Sequence, residues 1–171
     1  MYGYMPRHCS REEELLTHMM RYLYIGLVVS IIVGVTVFFV YKTSDPRPDV
    51  LYFGGVSLKI EYATSIVAKA RGLGGRESIQ SDVGMLFVFA KDDTYGFWMK
   101  DMLIPIDIFW LNERGQVIWT AQDVATSSYP NVFYPSTPAR YVLETSAGFA
   151  RAHGIATGTP LLLKNIPSVS E

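Results

Sequence analysis

The chain reads as a mainly β protein: one compact antiparallel β-sandwich or half-open barrel with two short helices, behind a single N-terminal transmembrane helix. Three observations predict this. The run Tyr22–Tyr41 carries no charge. Beyond it come short apolar segments, among them Val56–Ala63, which alternates with the period of two that marks strands. Turn residues cut that pattern into short segments, as in all-β domains.

Tyr22–Tyr41, rising about 1.5 Å per residue, spans roughly 30 Å, the thickness of a bilayer's hydrocarbon core. Tyr22, Tyr24 and Tyr41 sit at its ends, where aromatic rings favour the headgroup region, and Arg21 and Lys42 bracket it. Lys42-Thr-Ser-Asp-Pro46 follows without the small-residue pattern of a signal-peptide cleavage site, and the run exceeds a signal peptide's apolar core. The lone cysteine, Cys9, precedes the run, which argues against a lipoprotein. Arg7, Arg11 and Arg21 precede the span, and Lys42 and Arg47 follow closely. That excess places the N-terminus in the cytoplasm and the domain outside it, at the cytoplasmic membrane. The expected organisation is a cytoplasmic stub over 1–21, a span over 22–41, a linker over 42–55, a β domain over 56–164 and a tail over 165–171.

Ser44-Asp-Pro-Arg-Pro-Asp49 is stiff, polar linker. Val56–Ala63 alternates, with Val56, Leu58, Ile60 and Tyr62 directed inward. Thr64 or Ser65 caps a short helix through Arg71, and Gly72 ends it. Gly84–Phe89 is a dense apolar strand, Lys91–Thr94 a turn, and Phe97–Met99 another strand start. Ile106–Leu111 and Gln116–Asp123 form a hairpin about Asn112–Gly115, where Gly115 supplies a positive φ. Ala125–Pro138 is a loop rich in Ser, Thr, Pro and Tyr. Arg140–Glu144 is a strand, Ser146 caps a second helix through His153, Gly154 closes it, and Leu161–Lys164 is the last strand.

Composition narrows the chemistry. Residues 42–171 hold 12 Lys and Arg against 13 Asp and Glu. A near-neutral domain does not suit nucleic acid, whose phosphates need a basic surface. The same stretch has no cysteine and one histidine, His153. Thiolate zinc sites, thiol catalysis and histidine-based metal sites or triads are therefore not expected, and no metal or cofactor is assigned. Gly72-Leu-Gly-Gly75 lacks the Walker ending and the dinucleotide spacing, so it reads as a helix stop and tight turn.

Gly84-Met-Leu-Phe-Val-Phe89, Phe97-Trp-Met-Lys100 and Ile104-Pro-Ile-Asp-Ile-Phe109 together resemble the DUF192 (UPF0127) family of small bacterial and archaeal proteins. The similarity continues in Arg71-Gly-Leu73, Arg76, Arg140-Tyr-Val-Leu-Glu144, Ala147-Gly148 and Gly154-Ile155, and covers about 56–164. It implies a small β-sandwich of jelly-roll character and an exported or tethered setting; the family has no assigned activity. Two positions depart from the family pattern. Gly74 stands where methionine usually follows Gly-Leu, and Asp101-Met102 where Asn-Thr usually follows Trp-Met-Lys.

Asp107 interrupts an apolar strand, where an inward charge needs a partner; Arg76, Lys100 and Arg140 are the candidate cations, and the alternative is an outward position on an edge strand. Glu144 ends its strand, placed either to cap the following helix or to frame a pocket with Asp107. Two such carboxylates at suitable spacing would permit acid–base hydrolysis of a glycan. Alternation puts Phe97 and Met99 on one face and Trp98 and Lys100 on the other, so Trp98 and Lys100 with Arg76 and Tyr141 would suit a carbohydrate or small anion.

The expected function is a non-catalytic binding module in the cell envelope, taking a small molecule, glycan or protein through Arg76, Trp98, Lys100, Asp107, Tyr141 and Glu144. The alternatives are a hydrolase using Asp107 and Glu144, and an assembly factor acting by protein contacts over the Ala125–Pro138 loop.

Overall fold

The structure, a computed structural model, describes residues 9–42 and 49–169. It falls into two compact units, Met1–Arg47 and Pro48–Glu171. The first holds helix α1 (Cys9–Lys42), within which Leu15–Thr36 is long and apolar enough to cross a membrane. Residues 43–48 of the expected linker and the ends of the expected stub and tail, 1–8 and 170–171, lie outside the described residues.

The second unit is built on a seven-stranded sheet curled into a half-barrel, the mainly β architecture that the alternation predicts. Its strands are β1 (Asp49–Phe53), β2 (Val56–Ala63), β3 (Val83–Asp93), β5 (Ile106–Leu111), β6 (Val117–Val124), β8 (Ala139–Ser146) and β9 (Leu161–Leu162). They lie in the order β6-β5-β8-β3-β2-β1-β9, and β4 (Phe97–Trp98) pairs separately with β7 (Val132–Phe133). All these pairs are antiparallel except β2 with β3, which run parallel and are joined through α2 (Ile66–Arg71).

Both faces of the sheet are covered. One face packs Phe53, Leu58, Leu86, Phe109, Leu143 and Phe149 with their neighbours; the other packs Leu73, Phe87, Met99, Ile108, Trp110 and Val142. Alternation decides the side: Leu86 and Val88 serve the first cluster, Met85 and Phe87 the second. Strand β5 feeds both, and all six of its residues are buried.

Local signals held where they were local. Ser65 caps α2, its hydroxyl accepting the Ala68 N–H at 3.1 Å, and Gly72 ends it. The Asn112 side chain accepts the Arg114 and Gln116 N–H groups at 2.9 and 3.0 Å, which fixes the β5–β6 turn.

Four expectations are corrected. Strand β1 lies in the stretch expected as linker, paired with β2 across Gly54-Gly55, both at positive φ. The expected turn at Lys91 belongs to β3, which runs on to Asp93. The expected Ala125–Pro138 loop contains a 3₁₀ turn at Thr126–Ser128 and the short strand β7. Ser146 does not cap the second helix; it ends β8, and α3 (Phe149–His153) starts after Gly148 without a side-chain cap from its own N-cap residue.

Candidate functional site

The missing cap is supplied by Asp107. Its side chain is fully buried, with Oδ2 accepting the Ala150 N–H at 2.8 Å and Oδ1 the Asp123 N–H at 2.7 Å. The second donor exists because the β5–β6 register shifts beside Asp107 and Asp123 takes a positive φ. That irregularity turns one strand N–H onto the carboxylate. Asp107 is therefore a structural carboxylate held by backbone donors on an interior strand. The expected cation partners lie elsewhere: Arg140 pairs with Asp92, Arg76 with Glu61, and Lys100 lines a pocket. The edge-strand alternative fails as well, since β5 lies between β6 and β8.

The β5–β8 register pairs Asp107 with Thr145 and Ile108 with Glu144. Neighbouring residues on a strand point to opposite faces, so Asp107 and Glu144 lie on opposite sides of the sheet. They do not frame one pocket, which corrects the expected pairing.

Glu144 lies on the face covered by α2 and by the β4 segment. Between these elements opens a cavity of about 640 Å³. Phe87, Phe89, Tyr95, Phe97 and Trp98 supply its aromatic lining, and Lys69, Arg71, Lys100 and Asp101 its charged groups. Glu144 forms the floor, buried, with Oε2 lacking any hydrogen-bond partner. Burial pushes its carboxyl up to about 8, opposed by a hydrogen bond from the Leu73 backbone and by the positive charge of Arg76. At neutral pH the floor is thus a neutral carboxylic acid. Gly72 lets the chain pass this close: it sits at φ 53, ψ −137, and a Cβ there would lie 3.4 Å from Oε2 and 3.3 Å from the Phe87 ring.

At the mouth, the Lys69 ammonium lies 4.6 Å from the Phe89 ring centroid, and partial desolvation lowers its pKa. Phe89 in turn stacks on Tyr95 with centroids 3.5 Å apart. Trp98 is 52 % exposed and Lys100 is exposed, while Met99 is buried, the alternation expected of that strand start. Trp98, Tyr129, Val132 and Tyr134 form exposed apolar surface along the β4–β7 ribbon.

Of the residues expected at a ligand site, Trp98, Lys100 and Glu144 come together. Arg76 holds Glu61 in a bidentate ion pair beside a neighbouring cleft and reaches Glu144 only through its field. Tyr141 packs against the other cluster, as Asp107's face requires. Lys69, Arg71, Phe89 and Tyr95 are not expected at a site from sequence, although Arg71 and Phe89 fall within the family strings. Their one signal is the basic end of α2, Lys69 and Arg71, running into a glycine turn. Among the described residues, no group of three His, Cys, Asp or Glu could hold a metal ion.

The DUF192 family model, described as an uncharacterized ACR, matches residues 50–163. The chain belongs to the DUF192 family. The match begins within β1, six residues before the boundary expected from the motifs. Among solved structures, a putative transcription regulator from Sinorhizobium meliloti 1021 is 25 % identical with a TM-score of 0.61, covering 66 % of this chain and 88 % of its own. A protein of unknown function from Novosphingobium aromaticivorans DSM 12444 is 26 % identical with a TM-score of 0.61, covering 68 % of this chain and 84 % of its own. No curated protein matches. These two structures share the fold and carry no chemistry over to the pocket.

Proposed function

We propose that this DUF192 protein is a membrane-tethered, non-catalytic binding module that takes a small molecule between α2 and β4. One observation carries the reading: a fully buried carboxyl with an unpartnered oxygen forms the floor of an aromatic-walled cavity. A buried polar atom left without a partner costs stability, so its retention in a pocket of ligand size points to a group that arrives from outside. Tethering rests on the apolar stretch Leu15–Thr36, and an extracytoplasmic domain on Arg7, Arg11 and Arg21 outnumbering Lys42 and Arg47 about the uncharged run Tyr22–Tyr41.

The test uses the Met102 methyl group, which lines the cavity, as a reporter. Full-length protein in detergent, labelled at methionine methyls, is titrated with a panel of organic acids, sugars, amines and neutral aromatics. The expected result is a saturable Met102 shift with at least one class, weakened in Trp98→Ala. A Met102 signal silent to the whole panel at millimolar concentration overturns the reading.

The exposed β4–β7 ribbon supports a second reading, contact with a protein partner in the envelope. Tyr134→Ser would then abolish a specific cross-link in cells while leaving the Met102 shifts intact; an unchanged cross-linking pattern removes it.

A further inference from the structure

We propose that the pocket is shaped for a ring-bodied monocarboxylate with a polar group at its far end. Lys69, Arg71 and Lys100 hold the carboxylate at the mouth, and Glu144 hydrogen-bonds the far end at the floor. The proposal rests on the pocket being a ligand site and adds the ligand's chemical class.

Charge sets the head group. The lining presents three cations, and among the described residues Asp101 is its only acid besides Glu144, which holds its proton. Arg76 nearby is already neutralised by Glu61. The mouth therefore carries net positive charge and attracts an anion. An ammonium group would meet repulsion at the mouth and would reach a floor that holds its proton.

Shape sets the body. Phe89 has Tyr95 stacked on one face and Lys69 over the other, so it offers its edge, and the remaining aromatic lining is Tyr95, Phe97 and Trp98 with a cation beside it. Trp98 stands half-exposed in the same lining. A planar or sugar ring packs on such surfaces. The volume, about 640 Å³, accommodates one or two rings and lies within the range of small-molecule sites.

The floor sets the far end. The Leu73 N–H serves the carboxyl from the α2–β3 loop, and Oε2 remains free. A protonated carboxyl can donate to a ligand oxygen and accept from a ligand hydroxyl, so a hydroxyl is the best complement. The neighbours on the strands beside Glu144, Met85 and Phe87 on β3 and Ile108 on β5, are apolar. The charged groups bearing on it are Arg76 after α2, Lys69 and Arg71 on α2, and Lys100 and Asp101 after β4.

The probes are 4-hydroxybenzoate and glucuronate, an aromatic and a sugar version of one chemistry, read through the Met102 methyl of the full-length protein in detergent. Benzoate lacks the far hydroxyl, and 4-hydroxybenzamide lacks the charge. At least one of the two acids is expected to bind, and whichever binds names the source. For an aromatic ligand, benzoate and 4-hydroxybenzamide should each bind about tenfold more weakly, the usual loss when one buried polar contact goes unmade. For a sugar ligand, methyl glucuronate shows the same drop.

Glu144→Leu should lose about tenfold and the preference for the hydroxyl. Glu144→Gln, a neutral group of the same shape, should bind within about threefold of wild type near pH 7 and keep that affinity at pH 9, where the wild type weakens as Glu144 ionises. Equal binding of acid and amide, or tighter binding of tyramine or glucosamine, overturns the carboxylate assignment while leaving the binding module standing. A Met102 signal silent to every compound overturns both.

Discussion

Replacing Asp107 with asparagine tests whether this buried charge holds the fold. The carboxylate accepts one N–H from α3 and one from the bulged end of β6, at 2.8 and 2.7 Å. Each bond to a charged acceptor contributes about 1.5–3 kcal/mol. The amide keeps one acceptor oxygen and turns an NH2 toward the other donor. One bond is lost, and a buried N–H goes unsatisfied at about 1–3 kcal/mol more. Asp107→Asn should therefore cost about 3–5 kcal/mol, out of a total of about 5–15 for a domain this size. With a urea slope of about 2 kcal/mol per molar, the midpoint of a soluble 48–171 fragment should fall by about 2 M. Arg151→Gln provides the contrast. It breaks the exposed Arg151–Asp123 pair at the same corner and should move the midpoint by less than about 0.5 M. An Asp107→Asn midpoint as close to wild type as Arg151→Gln would refute the two-donor account.

Glu144 gives a pH signature. Its carboxyl titrates at about 8 folded against 4.5 in the open chain, so between those values the folded state binds the extra proton. Stability should fall as pH rises from about 4.5 to about 8 and level off above. Glu144→Gln should flatten thermal melts across that window and exceed the wild type at pH 8; parallel wild-type and variant profiles would contradict this. The tether predicts that full-length protein stays with membranes through an alkaline carbonate wash while the 48–171 fragment does not; release of the full-length chain would point to a removable or peripheral segment.

What the sequence made legible was short-range. Ser65 and Gly72 bound α2, Asn112 and Gly115 shape the β5–β6 turn, and Gly154 ends α3, because each acts on backbone within four residues. The reading failed where the partner is distant. Ser146 stood near the start of the helix, yet the first-turn donor, the Ala150 N–H, is taken by a carboxylate 43 residues away. Strand β1 was hidden behind prolines, though Gly54-Gly55 is itself a hairpin signal. At the site, Trp98, Lys100 and Glu144 stood out singly as an odd aromatic, a cation beside it and an acid ending a strand. Lys69 and Arg71 did not, because only the parallel β2–β3 crossover lays α2 over the face that holds Glu144.

The strand order bears on when the domain can form. Strand β8 starts at residue 139 yet lies between β3 and β5. Until it has emerged, the first three strands and the β5–β6 hairpin are two halves of a sheet with no seam between them. Each half would expose edges and apolar faces that β8 later covers. Closure of the sheet therefore waits on β8, and long-range closure of this kind is slow. The final short strand, β9, then seals against β1, bringing the end of the domain back beside its first strand.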